Sequence, residues 1–185
     1  AIQEKQQAKA AWKTAPVVSG GWNTGSIYLG TIGFNEALYP YTMGRLSDDT
    51  KNRYTSFVDN LKSADATVLY YAVDNAIDVL HNSMYPEDIQ DIAIITFTDG
   101  LDEGSIMLTD KYEEEADYLD AISYRLASSK IGGLPISSYT IAMRGNVAAS
   151  NLERFRNDLK KIASSDENAT EFANMEEVSV KFEEL

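Results

Sequence analysis

Apolar positions along this chain recur with two different periods. Leu69, Ala72, Val73, Ala76, Ile77 and Leu80 repeat at helical spacing, with Asp74, Asn75 and Asp78 between them facing water. Ile92 to Ile95 is instead a continuous apolar run that passes through Thr96-Phe97-Thr98 into Asp99-Gly100. With little polar alternation, it predicts a strand buried on both faces. Ile27–Phe34 is a second strand, rich in β-branched and aromatic residues, and its Gly30 and Gly33 predict close approach by a neighbour. Ala37–Met43 is a short return strand, placed at an edge by Pro40. Ser47 starts a helix running to about Lys62, with Asp48 and Asp49 in its first turn.

The second half continues the alternation. A polar insert, Leu101–Glu113, leads to a helix over about 114–129 with Leu119, Ile122 and Leu126 as its buried stripe. Gly132-Gly133 is expected to close that helix and Pro135 to stop its continuation. Ser137–Met143 is a strand, Leu152, Phe155, Leu159 and Ile162 mark a helix, and Ala169–Ala173 is a short last strand. At the ends, residues 1–13 are helix-like with Ile2 and Trp12 as anchors, and 16–25 is a breaker segment. Asn174 with Glu177 resembles a capping box for a final helix carrying Val178, Phe182 and Leu185. Strands alternating with helices predict an α/β fold: three layers, doubly wound, with a mostly parallel sheet flanked by helices in one domain over 1–185.

Charge and composition narrow the function classes. A formal charge of −13 and a pI near 4.4 argue against binding a phosphate backbone, hence no nucleic acid, and permit divalent cations and basic protein partners. No apolar run approaches the roughly 20 residues of a membrane span, and residues 1–13 lack the apolar core of a secretory signal. Zero cysteines exclude disulfides, zinc-thiolate sites and thiol catalysis. The single His81 excludes a multi-histidine metal site and suits the last turn of its helix.

The candidate chemistry collects where the Ile92 strand ends. In open α/β sheets the carboxyl edge is where ligands sit. Asp99 there invites a hard cation, though one Asp does not make a metal site, and Asp-Gly also favours a tight turn. Thr67 can act as a helix N-cap or as a ligand, two compatible roles. Asp102, Glu103 and Asp110 are expected in a solvated loop, able to line the rim or meet Ca²⁺, and Glu113–Glu115 as first-turn charge. Tyr39, Tyr41, Tyr70 and Tyr71 are expected either at a binding surface near this edge or in the core.

The order of these elements resembles the von Willebrand factor type A, or integrin I-like, domain family. Ile27 to Leu38 is similar to the family's second strand, and Asp65 to Val73 to its Gly-Thr-x-Leu-x-x-Ala helix start, with Ala66 for Gly. Ile94 to Gly100 is similar to its fourth strand with a Thr-Asp-Gly ending, and Tyr139 to Ala142 fits the fifth. The resemblance implies a metal-ion-dependent adhesion site for Mg²⁺ (or Mn²⁺ or Ca²⁺), in which Thr67 and Asp99 match the family's Thr and late Asp. Nothing matches its Asp-x-Ser-x-Ser loop, so the domain is expected to be incomplete on its amino-terminal side. The resemblance places the missing first strand between Ile27–Phe34 and Ile92–Thr98. The sheet is therefore expected not to close from these residues alone.

The function expected from this resemblance is adhesion-type protein binding at the carboxyl edge. An acidic side chain of a protein partner would complete the metal site, in an extracytoplasmic setting. The alternative is a metal-independent structural module completed by a strand from a companion segment or another chain. A metal-dependent hydrolase is the remaining reading. The chain has no P-loop, Gly-x-Ser-x-Gly or dinucleotide fingerprint, and it is read as not an enzyme.

Overall fold

The computed structural model describes residues 26–62, 66–87, 89–143, 147–172 and Glu177. The helix expected over 1–13, the breaker over 16–25 and, apart from Glu177, the capped final helix lie outside the described residues. The first elements among the described residues are two strands, β1 (Tyr28–Phe34) and β2 (Leu38–Arg45), paired antiparallel from Phe34 opposite Leu38 to Tyr28 opposite Arg45. Pro40 sits in β2 opposite Ile32, tolerated because β1 is the only strand β2 pairs with among the described residues.

Helix α1 (Asp48–Asn60) starts at Ser47, whose hydroxyl accepts from the Thr50 N–H while Thr50 answers the Ser47 N–H, a capping box. Its buried Tyr54 donates to the carbonyls of Leu29 and Thr42, tying the helix to both strands of the hairpin. The close approach expected at Gly33 comes from Leu61, just past α1. A Cβ at Gly33 would collide with that side chain.

Helix α2 (Leu69–Asn82) leads to β3 (Ile92–Thr98), then α3 (Glu115–Ser128), the short β4 (Lys130–Ile131), β5 (Leu134–Met143), α4 (Leu152–Ile162) and β6 (Ala169–Phe172). His81 lies in the last turn of α2, as expected. Strands β3, β5 and β6 form a parallel sheet, in register from Ile92 opposite Ile136 to Thr98 opposite Ala142, and from Thr140 opposite Ala169 to Met143 opposite Phe172. The expected α/β class, a parallel sheet flanked by helices, is what the structure shows. Helices α2, α3 and α4 pack on one face, where Val73, Ile77, Leu80, Ile122, Leu126 and Ile162 enclose Ile92, Ile94 and Ile136. At roughly 25 cal/mol per Å² of apolar surface, this burial is the main favourable term holding the layers together.

Three sequence expectations are corrected here. β3 is not buried on both faces: alternate residues are open, with Ile95 50% and Phe97 43% exposed, because the described helices that reach it lie on one side. Gly132-Gly133 does not close α3, which ends at Ser128. The pair instead turns a tight hairpin between β4 and β5, with φ of 59° and 89°. Asp74 does not face water: it is 8% exposed, accepts from the Tyr118 hydroxyl at 3.2 Å and pairs with Arg125.

The described strands form two separate sheets, β1–β2 and β3–β5–β6 with the β4 hairpin, and no described strand joins β1 to β3. Helix α2 nevertheless packs against both.

Candidate functional site

The carboxyl end of β3 is shaped by a local turn. The Thr98 hydroxyl donates to the Gly100 carbonyl at 2.9 Å and accepts from the Gly100 N–H at 3.3 Å. This turn holds Asp99 at the edge with its side chain in solvent. Thr67 precedes α2 and its hydroxyl lies 3.4 Å from where a Cβ on Gly100 would stand. Two sequence-predicted residues, Thr67 and Asp99, thus come to one edge from segments 32 positions apart.

A single peptide unit fastens the loops of both sheets at this edge. The Val68 N–H donates to the Asn35 carbonyl just past β1, at 2.8 Å. The Thr67 carbonyl, on the other side of the same peptide, accepts from the Glu103 N–H, in the loop five residues past the end of β3, also at 2.8 Å.

Asp102 departs most from expectation. It is not in a solvated loop but 3% exposed. One oxygen accepts from the Tyr70 N–H at 3.0 Å and from the Ser105 hydroxyl, the other from the Ser105 N–H at 3.2 Å. Ser105 in turn accepts from the Tyr71 N–H at 2.9 Å. Helix α2 has Val68 at its N-cap and no side-chain cap of its own. Asp102 and Ser105 perform that role from a distant loop, accepting from the Tyr70 and Tyr71 N–H groups at the helix start. Thr67 is therefore not the cap, and its hydroxyl is left available at the edge. The signal in the sequence was Asp102 three residues before Ser105, the spacing of a short capped turn; the helix it caps lies 32 residues away.

Below the edge, Tyr70 joins two buried carboxylates. Its N–H reaches Asp102 and its hydroxyl donates to Asp158 at 2.8 Å. Burial pushes the carboxyl groups of Asp102 and Asp158 above the usual carboxylate range, and the hydrogen bonds they accept only partly oppose this. The Tyr70 hydroxyl is driven well above its ordinary range by burial and by its bond to Asp158. Arg154 stands 3.6 Å from Asp158 and 2.5 Å from Glu115.

The tyrosines divide accordingly. Tyr70 is core, Tyr71 packs against it, and Tyr41 lies against Tyr54 and Phe57, with ring centroids 5.1 and 5.0 Å away. Tyr39 is 43% exposed. Glu103 and Asp110 are exposed on the insert, as expected of a solvated loop. Met107 and Leu108, which sequence reasoning passed over, are exposed beside them on a 3-10 turn over Ser105–Leu108.

The donor set at the edge is small. Among the described residues no group of three or more His, Cys, Asp or Glu is arranged to hold a metal ion. One hydroxyl and one carboxylate are two of the roughly six oxygens that Mg²⁺ requires. The described residues do not by themselves fit a complete Mg²⁺, Mn²⁺ or Ca²⁺ site. Comparison with protein-family models and with curated proteins found no match for this chain.

Proposed function

We propose that this is a protein-binding domain that meets a macromolecular partner at the carboxyl edge of its sheets. The observation that carries the reading is the convergence of Asn35, Thr67 and Asp99-Gly100 on one edge, pinned by a single peptide unit and by the buried Asp102. The pinning keeps the edge rigid, so a partner is met with little ordering entropy. Asp99 supplies charge, Thr67 a hydroxyl, and Met107, Leu108 and Tyr39 apolar contact. A divalent cation held only by Thr67 and Asp99 would bind weakly, and an acidic side chain of the partner would strengthen it.

The test uses a displayed-peptide library selected on the wild-type chain and counter-selected on a Thr67→Ala/Asp99→Ala variant, with Mg²⁺ and with EDTA. Enrichment of peptides that need the intact edge supports the reading. Peptides that bind both proteins equally overturn it. Acidic peptides retained only in Mg²⁺ would support the cation-assisted form, and retention in EDTA would support direct contact.

A further inference from the structure

A shallow groove of about 480 Å³ lies between β2 and α1, within the range of roughly 300–1,000 Å³ typical of small-molecule sites. Tyr41 of β2 lines it together with Asn52, Arg53, Ser56, Phe57 and Asn60 of α1. The helical residues share one stripe, because 52, 56 and 60 are spaced by four, as are 53 and 57. Neither Thr67 nor Asp99 lines this groove.

The floor is aromatic and fixed. Tyr41 meets the buried Tyr54 edge-on with ring centroids 5.1 Å apart, and Phe57 at 5.0 Å with a tilt of 33°. Tyr54 is itself held by the Leu29 and Thr42 carbonyls. Tyr41 and Phe57 touch one another, so no planar ligand can be sandwiched between them. They offer a platform on one side only, half-buried and half open.

The walls are polar and offer hydrogen bonds of both senses. Asn52, Arg53, Ser56 and Asn60 are all exposed. Asn60 uses an amide hydrogen on the Ser56 carbonyl at 2.7 Å, which leaves its side-chain oxygen as an acceptor. Arg53 only donates, whereas the Asn52 amide and the Ser56 hydroxyl donate and accept. The side chains of these three have no hydrogen-bond or ion-pair partner among the described residues. An anion only accepts, so it cannot satisfy the Asn60 oxygen, and a chain of charge −13 opposes it. A wholly apolar ligand would cover polar groups without pairing them. A sugar ring meets both demands: its hydroxyls donate and accept, and its C–H face lies flat on an aromatic platform.

We propose that this groove binds a short neutral oligosaccharide, with one ring over Tyr41 and Phe57 and hydroxyls on Asn52, Arg53, Ser56 and Asn60. The proposal goes beyond the partner-binding reading of the carboxyl edge and does not rest on it.

The test applies the labelled chain to an array of neutral, sialylated and sulfated glycans. The soluble form of a retained neutral glycan, and AMP separately, are then titrated into the isotope-labelled chain and followed by NMR. Retention of neutral glycans is expected, with shifts centred on the amides of Tyr41 and of Asn52 to Asn60. Asn52→Ala and Asn60→Ala change exposed positions and should keep the wild-type Tm. Each should weaken binding about fivefold, as loss of one hydrogen bond to a ligand does. Phe57→Leu keeps an apolar side chain but removes the ring face, and should weaken binding about tenfold. The Thr67→Ala/Asp99→Ala variant should bind glycan like wild type, so failure at the edge and failure in the groove are told apart. Retention of no neutral glycan, or binding indifferent to Asn52→Ala and Asn60→Ala, overturns the proposal. Retention of acidic glycans alone, or shifts of these amides by AMP and not by neutral glycans, overturns it in favour of an anion site.

Discussion

Two carboxylates follow one another out of β3. Asp99 stands in solvent beyond the Thr98 turn. Asp102, on the same loop, is sealed against the start of α2 and accepts hydrogen bonds from Tyr70 and Ser105. The difference is one of partners rather than residue type. A buried carboxylate surrounded by donors becomes structure, whereas an exposed one without such commitments is open to a ligand. In this loop the more deeply held Asp supports the rim on which the exposed one is presented.

The comparison breaks most readily at Asp102. Asp102→Ala removes the acceptor of three hydrogen bonds and leaves the buried Tyr70 and Ser105 N–H groups without it. A loss of about 3 kcal/mol in urea unfolding is expected. Loss below about 0.5 kcal/mol would mean the cap is replaced by water. Tyr70→Phe deletes only the hydroxyl on Asp158, for an expected loss of about 1.5 kcal/mol, checked by the same unfolding curves.

A pH series on Asp102→Asn sharpens the contrast. The native carboxyl group is raised by burial, so its stabilising contribution is complete below the ordinary Asp value and is lost as pH rises through the raised one. Wild type should therefore lose stability relative to the Asn variant as pH is raised from about 4 towards 7. A gap independent of pH would contradict the burial argument. The smallest effect belongs to Asp99→Ala, expected within about 0.5 kcal/mol of wild type in stability. It should abolish any selective broadening by Mn²⁺ of the Thr67 and Gly100 amides in NMR spectra.

The elements were legible wherever one residue set the period. The Leu69–Leu80 stripe, the Ser47 cap and the Pro40 edge strand lie in the structure as the pattern predicted, and the Ile92 run is a strand, though one buried on a single face. Asp99 was singled out because ligands sit at strand ends, and Thr67 by the resemblance carried by Asp65 to Val73; the structure brings the two to one edge. Asp102 and Asp74 were misplaced because their partners are tertiary: Tyr70 is 32 residues away from Asp102, and Arg125 is 51 from Asp74. Gly132-Gly133 was assigned to a helix end because glycine pairs serve caps and hairpin turns equally well.

The open side of β3 has a consequence for handling the protein. Ile-Ala-Ile-Ile-Thr-Phe-Thr carries no charge, proline or glycine, and no described strand lies along its outer edge. Segments of that composition stack into cross-β fibrils when their edges meet. At neutral pH the charge of −13 keeps molecules apart. Near pH 4.4 that repulsion vanishes, and dilute, low-salt, neutral solutions should keep the chain dispersed where acidic ones drive it to fibres.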